Sequence, residues 1–198
     1  MEKKSSKPDI SDDDVYEAMK EIEGYLDITP EDFKEIYYLA YAHATERISR
    51  SVLARDIMTR DVVIADGDTP LQKVAEVMAR RRISGVPVVE GDKVVGIISE
   101  KDFLNHIGPK GQKTFMGVVA ECLKGGKCLA ATIRVQRARD IMSTPVVTVG
   151  EDASLHDISS IFEEKGINRV PVISREGRLL GIVARADMVR SSLIKLEP

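Results

Sequence analysis

The chain has 198 residues, 43% hydrophobic and 31% charged, with a formal net charge of -3 and two cysteines. That composition excludes wholesale disorder and fibrous repeats, and the acidic balance argues against a broad nucleic-acid footprint. Two cysteines cannot make a disulfide scaffold, and the chain is long enough to build a core without one, so a reduced, cytoplasmic setting is expected.

Residues 1–8 are charged, contain Ser and Pro, and show no apolar pattern, so disorder is expected there and no signal peptide is read. Ser11 is placed to cap a short helix carrying Val15, Ala18, Met19 and Ile22, which Gly24 would end. Thr29 caps a second helix running to about Arg50, with Pro30 in its first turn and Glu31 and Asp32 near its positive end. Phe33, Ile36, Tyr37, Ala40, Tyr41 and Ala44 give this helix an apolar stripe suited to packing within an assembly.

Residues 51–107 open with Ala54-Arg55-Asp56-Ile57-Met58. A short apolar strand is expected over Val62–Ala65, then a helix from about Pro70 to Arg82 with Leu71, Val74, Ala75 and Met78 at helical spacing. Its basic end, Arg80-Arg81-Arg82, complements the helix dipole. Two β-rich runs follow, Val86–Val89 and Val94–Ile98, joined by a Gly91-Asp92 turn, and a short helix begins near Asp102.

Residues 108–137 form an insert. Gly108-Pro109-Lys110-Gly111 breaks the preceding helix, a new one is predicted over Lys113–Lys124 with Phe115, Val118, Val119 and Cys122 on its apolar spacing, and Gly125-Gly126 stops it. The insert can be read as a lid, a partner-docking element or a plain connector. Cys122 and Cys128 do not make a metal knuckle, and no second pair supplies four ligands, so no metal site is expected.

The remaining segment, 138–198, repeats the first. Ala138-Arg139-Asp140-Ile141-Met142 copies the opening pentapeptide letter for letter at an offset of 84, and at that offset Val62-Val63 meets Val146-Val147 and Val86-Pro87-Val88 meets Val170-Pro171-Val172. One residue is inserted near Arg175, after which Gly96-Ile97 meets Gly181-Ile182 and Asp102 meets Asp187. A strand over Val146–Val149 and a helix from about Ser154 to Lys165 are expected, the latter carrying Leu155, Ile158, Ile161 and Phe162. The order is β-α-β-β-α, twice; a unit this short cannot bury both faces of its sheet, and pairing of the copies would provide a shared core. The longest apolar runs, such as Val94–Ile98, are strand-sized, so no membrane span is expected.

As a duplicated set these motifs resemble a tandem pair of cystathionine-β-synthase (CBS) domains, a Bateman module, over roughly residues 51–107 and 138–195. The marks are the opening Ile-Met-Thr/Ser, the small-Val-Pro-Val strand, and Gly-Ile-Ile/Val leading to an Asp that starts the last helix. The resemblance implies an α/β (α+β) fold of two β-α-β-β-α repeats packed as a pseudo-twofold pair, here with an N-terminal helical extension over 1–50. It implies a regulatory ligand containing adenosine (AMP, ADP, ATP or S-adenosylmethionine), no catalysis and no catalytic cofactor. It further implies a homodimer and an unidentified protein effector.

Two sites follow from the resemblance. In the first, Asp102 would accept bonds from both ribose hydroxyls, with Ser99 adding another and Ile97 and Val147 walling the adenine; Asn168, Arg169 and Arg185 would face the phosphate. In the second, Asp187 would hold the ribose, Val63 and Ile182 the base, and Ser84, Gly85 and Lys101 the far end. Ala184 stands where Ser99 stands in the first copy, so the second site loses one hydroxyl, and the Asp102 site is expected to bind a phosphate more strongly. Read from spacing alone, Ser99 and Asp102 can equally be a helix cap, and Arg169 a strand-edge charge.

A nucleotide sensor acting in trans is therefore the leading reading, with a constitutive structural or oligomerisation module bearing vestigial sites as its competitor. An enzyme is not expected: His43, His106 and His156 are scattered, and neither a nucleophile elbow nor a P-loop accompanies them.

Overall fold

The computed structural model describes residues 10–22, 27–107, 114–124 and 133–194. Two compact units divide the chain at Ser51. Gly24, the Gly108–Gly111 break, Gly125-Gly126 and Cys128 lie outside the described residues.

The N-terminal unit holds α1 (Asp12–Glu21) and α2 (Pro30–Ser51). Both begin at the caps read from the sequence. Ser11 Oγ accepts from the Asp14 backbone N–H at 3.1 Å while Asp14 accepts from the Ser11 N–H at 2.9 Å, and Thr29 and Asp32 repeat the exchange at 3.1 and 3.2 Å. Lys34 pairs with Asp12 between the helices, and Val15 is buried. The stripe on α2 stacks Tyr37 on Tyr41 at 6.1 Å, but Ile36 remains 57% exposed.

The second unit opens with α3 (Ala54–Ile57), β1 (Ala65–Asp66), α4 (Leu71–Arg81), β2 (Gly85–Glu90), β3 (Lys93–Ser99) and α5 (Glu100–His106). After α6 (Phe115–Leu123) in the insert, the order recurs as α7 (Ala138–Ile141), β4 (Val149–Gly150), α8 (Leu155–Lys165), β5 (Arg169–Ile173), β6 (Leu179–Ala184) and α9 (Arg185–Ile194). Each repeat makes a three-stranded sheet, its middle strand parallel to the first and antiparallel to the third. Pro87 is tolerated in the middle strand because β1 pairs only with Val88 and Val89, leaving one hydrogen-bonded neighbour at the proline.

The repeats exchange their opening segments. Ala54 and Met58 are buried in the second repeat's core with Ile158, Phe162, Val170, Val172 and Val183. Ala138 and Ile141 are buried in the first repeat's core with Leu71, Val74, Val86, Val88 and Ile98. Backbone bonds tie each segment down: Ala54 N–H donates to Ala153 O at 2.7 Å, Ala138 N–H to Thr69 O at 2.8 Å. Thr59 bridges Ile182, and Ser143 bridges Ile97.

This exchange accounts for two departures from the sequence expectation. The four-residue helices α3 and α7 are too short to show a periodicity, and Asp56 and Asp140 hold them by accepting from the backbone N–H three residues back, at 2.9 and 2.7 Å. The strands expected over Val62–Ala65 and Val146–Val149 shrink to two residues each. The chain at Thr59 is paired with the second sheet and at Ala65 with the first. Val62, Val63 and Ile64 are spent crossing between them and pair with neither.

The exchange also explains the paired Met and Gly marks. A Cβ on Gly181 would stand 2.6 Å from Met58 Sδ and 3.0 Å from the Thr59 carbonyl; a Cβ on Gly96 would stand 2.5 Å from Met142 Sδ. Each glycine leaves the space through which the other repeat's methionine enters. Gly181→Ala is therefore expected to cost about 1–3 kcal/mol in urea unfolding, because backbone as well as side chain must move. Gly150→Ala, with nothing within 4 Å of its Cβ, should leave stability nearly unchanged.

Candidate functional site

Asp102 and Asp187 are two of the few buried charged residues among those described, each 7% exposed. Both lie in the first turn of the helix that follows the third strand of their repeat. In both, Oδ2 turns back to the chain: it accepts from the Ser99 N–H at 2.7 Å in the first repeat and from the Ala184 N–H at 2.8 Å in the second. Capping thus consumes one carboxylate oxygen. The other, Oδ1, faces outward from the turn and has a different partner in each repeat.

Asp102 Oδ1 accepts from Ser143 Oγ at 2.7 Å, and Ser99 Oγ donates to Oδ2 at 2.6 Å. Ser99 therefore serves the carboxylate rather than the helix amides, and Ser143 is delivered by the exchanged segment through its backbone pairing with Ile97, 2.9 Å from Ser143 N to Ile97 O. Asp187 Oδ1 is held instead by the guanidinium of Arg190, one turn along α9. Ala184 leaves Asp187 without the hydroxyl that Asp102 receives from Ser99.

A cavity of about 300 Å³ opens beside Asp187. Val63 and Ile182 line it as apolar walls, Ser84 and Gly85 close the side belonging to the first repeat, and Thr59 enters from the exchanged segment. Five of the six residues assigned to the second site are thus brought together. Lys101 is not; it is exposed on α5, outside that lining. A larger cavity, about 660 Å³, lies along α4 and α5 beside Phe115, and its lining is mainly apolar.

Arg169 lines the Asp187 cavity, and its guanidinium also lies close enough to Asp102 and Glu100 to feel their charge. Its guanidinium bonds to Ser84 Oγ, and a Cβ on Gly85 would come within 1.8 Å of its Nη1. Gly85 and Arg169 occupy the same place in their repeats, directly before Val-Pro-Val. The missing side chain on one lets the long side chain of the other lie across it. Burial pulls the Arg169 pKa below the usual guanidinium value, and the charges of Glu100 and Asp102 partly offset that. Its Nη1 is buried and has no hydrogen-bond partner. An unpaired guanidinium nitrogen beside a cavity is a ready donor for an anion.

Other assigned residues serve the frame. Val147 packs against the second core. Asn168 accepts the Arg185 N–H through its carbonyl at 3.1 Å, and the Arg185 guanidinium lies 5.8 Å from the Phe162 ring centre, a cation–π distance. Among the residues unassigned from the sequence, Ser143 and Arg190 reach the two carboxylates, and Thr59, Asp61 and Arg82 reach the cavity. A hydroxyl at the same place after Ile-Met in both copies, and an Arg three residues after Asp187, were the available signals. Arg82 ends α4 in the left-handed conformation, φ 53°, where the second repeat has Gly166 at φ 62°. Among the described residues no three His, Cys, Asp or Glu side chains are grouped to hold a metal, and no helix is long and apolar enough to cross a membrane.

The CBS domain model matches residues 54–109 and 138–193. An uncharacterised protein of Methanopyrus kandleri is 32% identical over 142 residues, covering 71% of this chain and 63% of the relative, so the chain spans just under two thirds of that protein. The CBS domain of a CBS domain-containing membrane protein from Sphaerobacter thermophilus superposes with a TM-score of 0.59 at 32% identity, over 78% of this chain and 96% of that one. The CBS-pair protein CBSX2 of Arabidopsis thaliana, crystallised with AMP, superposes with a TM-score of 0.59 at 22% identity, over 75% of this chain and 100% of its own.

Gly85 and Arg169 should be energetically coupled. Gly85→Ala is expected to displace the flexible Arg169 side chain and cost about 1 kcal/mol, and Arg169→Ala should remove most of that penalty. Additive losses in a double-mutant cycle by urea unfolding would contradict the crossing of Arg169 over Gly85.

Proposed function

The chain belongs to the CBS domain family, and from that premise we propose that it is a regulatory, non-catalytic module that binds an adenosine nucleotide between its repeats. The observation that carries the proposal is the Asp187 cavity, where a buried carboxylate and a guanidinium from the same repeat face Ser84 and Gly85 of the other. A ribose cis-diol offers two O–H donors, which suit a carboxylate acceptor. Val63 and Ile182 offer the base apolar surface, and Arg169 Nη1 offers the phosphate a donor. The AMP found with CBSX2 supports the ligand class. On this reading the phosphate sits beside Asp187, because Arg82, Arg169 and Arg190 line one cavity with that carboxylate.

Such a ligand touches both repeats, so it binds best to one relative arrangement of them and shifts the population towards it. The proposed output is a contact with a separate effector protein, made by a homodimer in the cytoplasm. A structural module with vestigial sites is the alternative, and the saturation of Asp102 by Ser99 and Ser143 favours it for the first site.

Thermal-shift titration with AMP, ADP, ATP and S-adenosylmethionine tests the proposal. A ligand at about 100 times its Kd stabilises the folded state by about 2.7 kcal/mol, enough for a clear rise in melting temperature. The rise is expected for a phosphorylated ligand, lost in Asp187→Ala and kept in Asp102→Ala. The opposite pattern would return the phosphate to the Asp102 side. No rise for any of the four would support the structural module.

A further inference from the structure

Arg190 is 69% exposed at its side chain, yet it ends on a carboxylate that is 8% exposed and lines the same cavity as Arg169 and Arg82. The matching position in the first repeat, three residues after Asp102, is Asn105, a neutral amide. There the outward carboxylate oxygen takes a hydroxyl from Ser143 instead. The cation on the binding carboxylate is thus a property of the second repeat alone.

A ribose diol needs the lone pairs of Asp187 Oδ1, and in the structure the Arg190 guanidinium lies on them. Only the carboxylate of this pair is buried; the Arg190 side chain stands largely in solvent, so it can turn away from Asp187 without being desolvated elsewhere. A guanidinium prefers a phosphate, which it can grip with two parallel N–H donors. Adenosine can reach Asp187 only by turning Arg190 out to solvent with nothing in return. A nucleotide frees the carboxylate and supplies the released cation with an anion a short distance away. The cavity holds Arg82, Arg169 and Arg190 against Asp61 and Asp187, so a phosphate enters a site of net positive lining.

We infer that Arg190 is an exchangeable latch: it occupies Asp187 in the empty protein, passes to the phosphate of an incoming nucleotide, and so makes the cavity selective for phosphorylated adenosine. This rests on the nucleotide reading of the Asp187 cavity and assigns its selectivity to a residue.

Calorimetric titration of AMP and of adenosine into wild type, Arg190→Ala, Arg190→Lys and Asp187→Ala tests it. Wild type is expected to prefer AMP. Arg190→Ala should weaken AMP about tenfold, the value of one lost charge-assisted bond, while strengthening adenosine, so that the ratio of the two affinities collapses. Arg190→Lys keeps the charge and should restore most of the AMP affinity and of the discrimination. An unchanged AMP-to-adenosine ratio in Arg190→Ala, with both ligands lost in Asp187→Ala, would overturn the latch and leave the nucleotide site standing. Binding by wild type that Asp187→Ala does not alter, or no binding at all, would overturn both.

Discussion

Each sheet in the repeat pair is completed by a segment from the other repeat, and the residues of the candidate site stand where they do because of it. A β-α-β-β-α unit with a three-stranded sheet leaves apolar surface that its own helices do not cover. Met58 fills that space in the second repeat, over Gly181, and Met142 fills it in the first, over Gly96. Burying side chains of this size is worth about 1.5–3 kcal/mol apiece. Neither repeat keeps that gain without the other, so the contiguous repeats of the sequence are not the cooperative units of the fold. The seam between them is lined by whatever each exchanged segment brings: Thr59 on the Asp187 side, Ser143 on the Asp102 side.

Duplication gave both halves the same frame, and a few substitutions at the seam then made the sides unequal. Gly85 and Arg169 are matched positions, as are Ser99 and Ala184, and Asn105 and Arg190. As a result Asp102 holds two hydroxyls, from Ser99 and Ser143, and Asp187 holds the Arg190 guanidinium. The change is local: both carboxylates still cap their helices through Oδ2 with nearly the same geometry, 2.7 and 2.8 Å. Capping therefore does not compete with the proposed binding role of these residues. The cap fixes one oxygen and thereby aims the other.

Much of this was legible from residue order. The offset of 84 identified the paired units, the α4 and α8 periodicities located the main helices to within a residue or two, and Ser11 and Thr29 marked the first two helix starts. The exchange was not legible, although its marks were among the residues that revealed the repeat. Ile-Met and Gly-Ile recur together because one fits the other, but periodicity cannot say that the partner lies in the opposite copy. For the same reason Val62–Ile64, apolar enough for a strand, are unpaired: they travel between sheets. The placement of Arg169 shows a similar limit. Equivalence across a pseudo-twofold tells which positions face the axis, whereas the lean of a long side chain across it depends on where a Cβ is missing. Here that absence is at Gly85.

The location of the cavity bears on how a ligand there would be felt elsewhere. Its walls come from the crossing residues Val62 and Val63, from the exchanged segment at Thr59, and from both sheets. Crossing residues lack strand pairing and so resist displacement least. A molecule seated against them would add contacts where the chain supplies few of its own, and would do so across the seam on which both cores depend. Binding at the outer face of either sheet would stabilise that sheet alone. Binding at the seam stabilises one arrangement of the two repeats, and an arrangement is a property that a surface remote from the ligand can report.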